Sequence, residues 1–309
     1  MVILILLVLG LCFGSFVNAL VWRFRRQAEL QDEQAELAAG SKKSNAKRIA
    51  AKQKEIDGLS IARGRSMCVH CKHELAAKDL VPVISFLWLR GKCRYCRQPI
   101  QDTPLAELLT PVLFIVSYLF WPQPLSGAGL VGFCFWLVFL IGFVALGIYD
   151  IRWYELPHKI VLPLIGLAGV QTAVVATLYD ANHGGGLPVV LHAVYGALVG
   201  GGLFLVLYIV SPKETLSDGT KISKWIGGGD ITLGVLLGIL VGGPGNALLL
   251  IFVASLLGTL VALPLLAVGK ANRTSHLPFG PYLMLAAVIV ALWGQLIIDW
   301  YLGQFTGLY

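Results

Sequence analysis

The sequence predicts an all-α, polytopic membrane protein with about eight transmembrane helices and a small polar module between the first and second. Of the 309 residues, 57% are hydrophobic and only 13% are charged, whereas soluble domains carry about 25% charged residues. Apolar segments of roughly the 20 residues that a spanning helix needs recur along the chain. Because so much apolar surface cannot be buried in one water-soluble core, the bilayer is the expected solvent.

The first apolar segment runs from Val2 to Trp22. It lacks the basic start of a signal peptide, and no small-residue cleavage site follows it. Instead Arg23, Arg25 and Arg26 come directly after it. This pattern predicts an uncleaved first transmembrane helix over residues 1–23, with its basic end in the cytoplasm.

A polar stretch over residues 24–103 is predicted to form a cytoplasmic domain. Its first part, residues 28–57, is rich in Ala, Glu, Gln and Lys. That composition favours an exposed helix broken at Gly40-Ser41, or a partly disordered spacer. Its second part, residues 66–103, contains four cysteines and is predicted to be a small folded module.

The remainder, residues 104–309, is predicted to form a seven-helix membrane domain. One of its segments is short and needs the neighbouring glycines to lengthen it. The seven apolar segments are Pro104–Trp121, Leu130–Tyr149, Ile160–Leu178, Val189–Val210, the short Ile231–Val241, Ala247–Val268 and Tyr282–Ile298.

The distribution of basic residues predicts the orientation. All 24 Lys and Arg residues lie in or beside alternate loops, at 23–103, 150–159, 211–229 and 269–280. The opposite loops contain none, and basic residues resist translocation. The chain is therefore expected to be a multi-pass protein of the cytoplasmic membrane with a periplasmic N-terminus. The net charge of +7 reports this topology, so lipid rather than nucleic acid is the expected partner.

Four cysteines form two knuckles, Cys68-x-x-Cys71 and Cys93-x-x-Cys96. Four thiolates at this spacing can surround one tetrahedral Zn²⁺ and leave no open coordination position, which predicts a structural zinc. Disulfides are disfavoured in a reducing compartment. The alternative is that the four thiols are simply reduced and hold no metal.

Two carboxylates lie at membrane edges, where they are costly and point to function. Asp150 ends the third predicted span and Asp230 opens the sixth. Because these helices run in opposite directions, both carboxylates are expected at the same cytoplasmic depth. Such a pair can divide the roles of general base and general acid in peptide hydrolysis. Alternatively, each aspartate caps a helix, or the two form a proton relay in a transporter.

Small residues are predicted to let the neighbouring helices approach. Asp230 shares a helix face with Gly234, Gly238 and Gly242, at a spacing of four residues. Glu107, at the start of the second span, is expected either to bind a basic peptide segment or to pair with a nearby Lys or Arg.

Six motifs in order resemble the type IV prepilin peptidase family, the bifunctional leader peptidases and N-methyltransferases. The matching residues are Gly14-Ser15-Phe16-Val17-Asn18 with Arg23, the CxxC pair with Val81-Pro82, Ser85 and Arg90-Gly91-Lys92-Cys93 between and within it, Pro104-Leu105-Ala106-Glu107-Leu108, Asp150 with Leu156-Pro157, Gly227-x-Gly229-Asp230, and Pro278-Phe279-Gly280-Pro281-Tyr282.

The resemblance implies an enzyme of the bacterial inner membrane in which Asp150 and Asp230 are catalytic. It would cleave the basic leader of prepilins and pseudopilins, in pilus assembly or type II secretion. It would then methylate the new N-terminus with S-adenosylmethionine. No Gly-rich fingerprint marks a donor site, so the donor-binding residues stay unknown at this point.

Three positions depart from the family's usual pattern: Leu80 before Val81-Pro82, His158 after Leu-Pro and Thr232 after the second aspartate. These departures are expected to affect the substrate range or the level of activity, and not the class of reaction. Two other functions remain open: a membrane aspartyl protease without methyltransferase activity, which the four-cysteine module disfavours, and a carboxylate-relay transporter. The mass of the product made from a prepilin peptide, with and without S-adenosylmethionine, would distinguish them.

Overall fold

The computed structural model describes residues 1–39, 45–60, 66–100, 104–183, 185–215, 221–223, 225–268 and 277–306. The all-α prediction is confirmed. Ten α-helices lie in these ranges: α1 Val2–Ala39, α2 Asn45–Gly58, α3 Ile84–Trp88, α4 Leu105–Leu119, α5 Gly127–Trp153, α6 His158–His183, α7 Leu187–Val210, α8 Gly228–Val241, α9 Pro244–Ala267 and α10 Gly280–Thr306. One short antiparallel hairpin, β1 Lys213–Thr215 with β2 Lys221–Ser223, follows α7; the sequence pattern did not predict it.

Six helices are long and apolar enough to cross a membrane, namely α1, α5, α6, α7, α9 and α10. Two shorter apolar helices, α4 and α8, have 15 and 14 residues. At 1.5 Å per residue they extend about 22 Å, less than the ~30 Å hydrocarbon core. The predicted set of about eight apolar helices is therefore present. As expected for the short segment, α8 takes in Gly228 and Gly229 at its start.

The outward faces of these helices carry large apolar side chains. Leu198 of α7, Phe252 of α9 and Leu296 of α10 are each about two-thirds exposed, at 64%, 66% and 66%. In water, leaving such a side chain exposed rather than buried would cost about 1.5–3 kcal/mol. Contact with lipid tails avoids this free-energy cost, so these faces fit a bilayer environment.

The chain divides into two compact units, residues 1–115 and 116–309. In the first unit, α1 packs closely on the start of α4 through two glycines. A Cβ on Gly14 would lie 2.5 Å from the carbonyl oxygen of Ala106, and one on Gly10 would lie 2.4 Å from the Cα of Pro111. Only glycine permits such backbone contact between two membrane helices.

Helix α1 continues without a break beyond the predicted membrane exit, and α2 packs back against its polar half. Arg26 pairs with Glu55 at 3.1 Å, and Lys52 pairs with Glu33. The interpretation of residues 28–57 as helix is thus confirmed, although the proposed break at 40–41 lies outside the described residues. The domain boundaries at 23 and 103 stay a prediction.

Helix α8 forms the centre of the second unit and packs against α6, α7, α9 and α10. Leu233, Leu236 and Leu237 on this helix are fully buried. Its closest neighbour is α7, because a Cβ on Gly238 would lie 2.1 Å from the carbonyl oxygen of Gly196.

The predicted glycine face of α8 therefore lies against α7. A Cβ on Gly234 would lie 2.6 Å from the carbonyl oxygen of Gly200 on α7. Gly242 has a different role, since it ends the helix with a φ of 64°. Such left-handed backbone is accessible to glycine at little cost.

Candidate active site and metal centre

The four predicted cysteine ligands come together in the first unit. The sulfur atoms of Cys68, Cys71, Cys93 and Cys96 all lie within 4.8 Å of one another. The Sγ atoms of Cys68 and Cys96 are 3.8 Å apart. Zn–S bonds of about 2.3 Å in a tetrahedron place the sulfurs about 3.8 Å apart. The cluster therefore fits a four-coordinate zinc ion.

The two CxxC knuckles have the same backbone geometry. In each, the first cysteine's N–H donates to the carbonyl five residues on, at 2.9 Å for Cys68 and 2.8 Å for Cys93. In each, the residue four positions on donates back to that cysteine's carbonyl. These residues, Lys72 and Arg97, both have left-handed backbone, with φ of 59° and 62°. The repeated turn directs both thiols of each knuckle towards one point.

The thiols differ in their readiness to ionise. Burial by itself raises the pKa of Cys68, but N–H groups of Cys71 and His70 and the neighbouring thiols donate to its sulfur and lower the pKa to about 6. At Cys96, the N–H of Gln98 lowers the pKa, yet burial and the competing thiols outweigh it and raise the pKa to about 11.

A buried carboxylate, Asp79, stabilises the cysteine module. The sequence analysis did not single out this residue. Asp79 accepts hydrogen bonds from Arg94 Nε at 2.6 Å and from the Tyr95 hydroxyl at 3.0 Å. Its side chain is only 3% exposed. Since Arg94 and Tyr95 lie between the two cysteines of the second knuckle, Asp79 connects that knuckle to the 3₁₀ turn Ala77–Asp79.

Glu107 has a structural contact that neither sequence expectation included. Its Oε2 accepts a hydrogen bond of 2.6 Å from the backbone N–H of Val83. Val83 has a φ of 60° and ψ of −49°, a strained conformation for a β-branched residue. Glu107 thus holds the turn that leads into α3.

Asp150 lies in the last turn of α5, in the second unit, and is 5% exposed. Its carbonyl accepts the N–H of Tyr154, whose left-handed conformation ends the helix. Its Oδ2 accepts the N–H of Gly280 at 3.0 Å. Gly280 begins α10, so the carboxylate occupies a helix N-terminus, where unpaired N–H groups and the helix dipole favour negative charge.

Gly280 is required here for a steric reason. A Cβ at this position would lie 2.5 Å from the Asp150 Oδ2. The sequence singled out the motif at 278–282 but assigned it no role. The structure shows that this motif supplies both a hydrogen-bond donor and the space for the first aspartate.

Asp230 lies in the first turn of α8, with its side chain turned back to the residue before the helix. Its Oδ2 accepts the N–H of Gly227 at 3.1 Å. Gly227 is therefore the N-cap residue, and Asp230, at the third helical position, makes the return contact of a capping box rather than acting as the N-cap itself. This contact occupies one carboxylate oxygen and leaves acceptor capacity on the other.

The surroundings of the two aspartates meet at one side chain. Leu156, in the loop after α5, connects their surroundings. A Cβ on Gly229, beside Asp230, would lie 2.8 Å from Leu156 Cβ, and a Cβ on Gly280 would lie 3.4 Å from Leu156 Cδ2. Gly229, the second glycine of the Gly-x-Gly-Asp motif, thus leaves space for the side chain of Leu156 from the Leu-Pro motif.

Two of the residues that depart from the family pattern are close in sequence to residues of this site: Thr232 follows Asp230 by two positions, and His158 follows Leu156 by two. The Thr232 hydroxyl donates to the carbonyl of Gly229 at 2.9 Å. A threonine here therefore satisfies its hydroxyl within the helix. His158 begins α6 and is exposed.

The helices and the two clusters define a polytopic, all-helical membrane protein with a four-cysteine metal-binding module and a pair of carboxylates at helix ends. Residues 8–121 match the bacterial peptidase A24 N-terminal domain, and residues 137–263 match the type IV leader peptidase family. The chain belongs to the type IV leader peptidase family.

Named relatives match this chain over most of its length. It is 31% identical to the prepilin leader peptidase/N-methyltransferase of Stutzerimonas stutzeri, over 99% of this chain and 95% of the relative. It is 30% identical to the enzyme of the same name from Pseudomonas aeruginosa, over 99% and 94% of the two chains. The corresponding Aeromonas hydrophila enzyme is 31% identical over 78% and 76%. No solved structure matches the chain.

Proposed function

We propose that this protein cleaves the leader peptide of prepilins and pseudopilins in the bacterial inner membrane and then methylates the new N-terminus. Asp150 and Asp230 are the catalytic pair in this proposal. Its main support is that the buried Asp150 accepts the N–H of Gly280, and that Leu156 packs against both Gly280 and Gly229, the residue before Asp230. The names and near-complete coverage of the relatives support both activities.

Hydrolysis by this pair divides the work between the two carboxyl groups. The ionised member takes a proton from water, and the resulting oxygen nucleophile attacks the carbonyl carbon of the scissile peptide bond. The protonated member donates a hydrogen bond to the carbonyl oxygen and then passes a proton to the departing amine. Gly280 and Gly227 keep the two carboxylates oriented through their N–H groups.

The other assignments concern the metal and the orientation. Cys68, Cys71, Cys93 and Cys96 hold a structural zinc, supported by their sulfur geometry. The four alternate loops that carry all Lys and Arg residues face the cytoplasm, which places the N-terminus in the periplasm. The cysteine module and the aspartates then share the cytoplasmic side.

Replacement of either aspartate tests the catalytic assignment. Asp150→Asn and Asp230→Asn keep the shape of the side chain but cannot act as base or acid, so leader cleavage should fall by roughly 100- to 10,000-fold. The double variant should be scarcely worse than either single variant, because the pair acts as a unit. Cleavage of a prepilin peptide by purified protein in nanodiscs measures this.

Asp299→Asn is the matched control, since Asp299 is exposed near the other end of α10 and pairs only locally, with Gln295. It should cleave at the wild-type rate. Both active-site variants should still methylate a pre-cleaved pilin. If either Asn variant retains full cleavage, that aspartate is not part of the mechanism.

A further inference from the structure

The short helix α3 of the cysteine module carries apolar side chains on two opposite sides. Phe86, together with Leu89 directly after the helix, lies on the inner side and lines a cavity between α3 and α1. On the outer side, Ile84, Leu87 and Trp88 are 64%, 66% and 81% exposed, and their spacing of three and four residues places them on one face. Because a helix that is apolar all round is normally buried, the outer face requires an apolar environment.

Helix α3 is held at the level of the membrane helices. Val83, the residue before it, donates its N–H to Glu107 in the first turn of α4, at 2.6 Å. Glu107 lies beside α1, because a Cβ on Gly14 would be 2.6 Å from its Cα. Gly14 precedes Trp22, the end of the apolar segment of α1, by eight residues, which is about 12 Å along a helix. The start of α3 therefore lies beside the apolar part of α1 and not beyond it.

The outer face of α3 begins next to a surface that fits lipid contact. Leu105, Leu108 and Val112 of α4 are exposed at helical spacing, at 49%, 50% and 55%. Glu107 lies between the first two of these residues in the chain, so its bond to Val83 places the start of α3 beside the first turn of this apolar helix face. Lipid that contacts α4 is thus already present at the position of α3.

The residues on and after α3 are those of a membrane–water interface. Tryptophan, as at Trp88, is enriched at this depth because its ring is apolar and its N–H is polar. Arg90 and Lys92 follow directly and are exposed. Residues 66–100 as a whole contain six Lys and Arg residues and two acidic ones, a balance that attracts the phosphates of anionic lipids.

We propose that α3 anchors the cysteine module in the bilayer interface. Ile84, Leu87 and Trp88 insert among the lipid tails beside α4, and Arg90 and Lys92 bind lipid phosphate groups. The module is then held on the membrane surface by this contact as well as by its two connections to α1 and α4. Since Phe86 lines the inner cavity, the anchor also fixes one wall of that cavity relative to the membrane.

A partner protein fits this face less well than lipid does. To reach α3 beside the apolar parts of α1 and α4, such a protein would have to displace lipid that is present without any partner. The basic residues at the edge of the face also match a surface of phosphate groups, which a bilayer offers continuously.

Photocrosslinking tests the anchor. Full-length protein with p-benzoylphenylalanine in place of Trp88, irradiated in nanodiscs, should give a phospholipid adduct that mass spectrometry detects. The same substitution at Leu108, on the apolar face of α4, is the positive control. Substitution at Ala35 is the negative control, because Ala35 is exposed about 18 Å beyond Arg23 along α1. A yield at position 88 that is no higher than the yield at position 35 would overturn the proposal.

Irradiation in native membranes includes the proteins that nanodiscs lack. The lipid adduct at position 88 should persist there. A polypeptide adduct in place of the lipid adduct would show that a partner protein covers the face, and would also overturn the proposal.

The basic residues are tested in nanodiscs that contain equal amounts of phosphatidylglycerol and phosphatidylcholine. The adduct at position 88 should favour phosphatidylglycerol by about twofold or more. Arg90→Gln with Lys92→Gln should remove this preference. Lys47→Gln with Arg48→Gln is the matched control, because these residues are exposed in α2. Equal preferences in the two double variants would refute phosphate binding by Arg90 and Lys92.

Hydroxyl-radical footprinting gives a readout on the wild-type protein. Trp88 is 81% exposed in the protein alone, whereas Tyr95 of the same module is 41% exposed, and both rings react readily with the radical. Lipid over α3 should reverse the order that exposure alone predicts, so that Trp88 is oxidised more slowly than Tyr95 in nanodiscs. Oxidation of Trp88 at the rate of Tyr95 or faster would contradict insertion of α3.

Discussion

At the scale of single residues, glycines determine where the candidate catalytic carboxylates can lie. Gly280 donates to Asp150 and leaves room for its carboxylate. Gly229 leaves room for Leu156, whose side chain also approaches Gly280. Both positions belong to motifs of the sequence, but their roles depend on partners far away in the chain.

Gly280→Ala should therefore damage catalysis while the protein still folds. The new Cβ would lie 2.5 Å from Asp150 Oδ2, so the carboxylate or the start of α10 must move. Overpacking of this kind costs about 1–3 kcal/mol, and we expect leader cleavage to fall about tenfold or more. Gly169→Ala in α6 is the control, since a Cβ there meets no atom within 4 Å. Equal cleavage rates in the two variants would contradict the steric role of Gly280.

The hydrogen bonds of Asp79 predict how the stability of the cysteine module depends on pH. Burial alone would raise the pKa of this carboxyl, but hydrogen bonds from Arg94, Tyr95 and Ala76 N–H hold the pKa below its ordinary value of 3.8. A lowered folded-state pKa stabilises the fold above the unfolded-state pKa, and this stabilisation is lost only as the pH falls through the folded-state value. Asp79→Asn should thus destabilise the module equally at every pH from 5 to 8.

Hydrogen–deuterium exchange of residues 76–96 measures this effect. We expect exchange to become about tenfold faster in Asp79→Asn, as for a lost charge-assisted hydrogen bond, with the same ratio across this pH range. Asp57→Asn, at an exposed site in α2, serves as the control. A ratio that fades between pH 8 and pH 5 would show that another group is responsible.

At the scale of elements, the cysteine module contains little regular structure of its own. Over residues 66–100 it has one 3₁₀ turn and the five-residue helix α3. Such a small segment cannot bury enough apolar surface to be stable alone, and a structural metal commonly supplies the missing stability. The two matched knuckles are the elements that bring the ligands together.

Purified protein should accordingly contain close to one zinc per chain. Cys71→Ser and Cys93→Ser should each lower the zinc content, whereas Cys134→Ser, in α5, should not change it. Elemental analysis measures the metal, and a chelator should accelerate exchange over residues 66–100. Freshly reduced protein that contains no metal would refute the structural zinc.

At the scale of the whole molecule, charge and helix length together suggest the arrangement in the membrane. Six helices are long enough to span, and the two short apolar helices, α4 and α8, need their flanking residues or a locally thinner bilayer. Exposed apolar side chains on the outer faces agree with lipid contact. The distribution of Lys and Arg is the basis for the orientation.

Reporter fusions test that orientation. A reporter fused after Gln123 or His183 should read as periplasmic, and one fused after Lys54 or Lys221 should read as cytoplasmic, because the basic loops resist translocation. Because α6 and α7 both have spanning length, a cytoplasmic signal after His183 would place the loops beside Asp150 and Asp230 together in the periplasm. The proposed orientation, with a cytoplasmic active site, would then fail.

The sequence by itself determined the all-α membrane fold, the four-cysteine cluster and both candidate aspartates. These features depend on composition and local spacing: apolar segments of spanning length, CxxC knuckles, and carboxylates at the ends of apolar segments. Gly234 and Gly238 were also correctly expected at a close helix contact. Their partner α7 could not be inferred, since helical periodicity shows which face is packed but not which helix covers it.

Only the tertiary structure decided how distant segments complete each site. The contact between Asp150 and Gly280 joins residues 130 positions apart, and Asp79 meets Arg94 through a turn of the module. Glu107 was expected to bind a basic peptide segment or a nearby Lys or Arg, and the structure adds a hydrogen bond from the N–H of Val83 that local pattern did not predict. These contacts follow from steric fit and from the need to satisfy buried polar groups. The local sequence pattern cannot predict them, because the partner of each residue depends on how the whole chain packs.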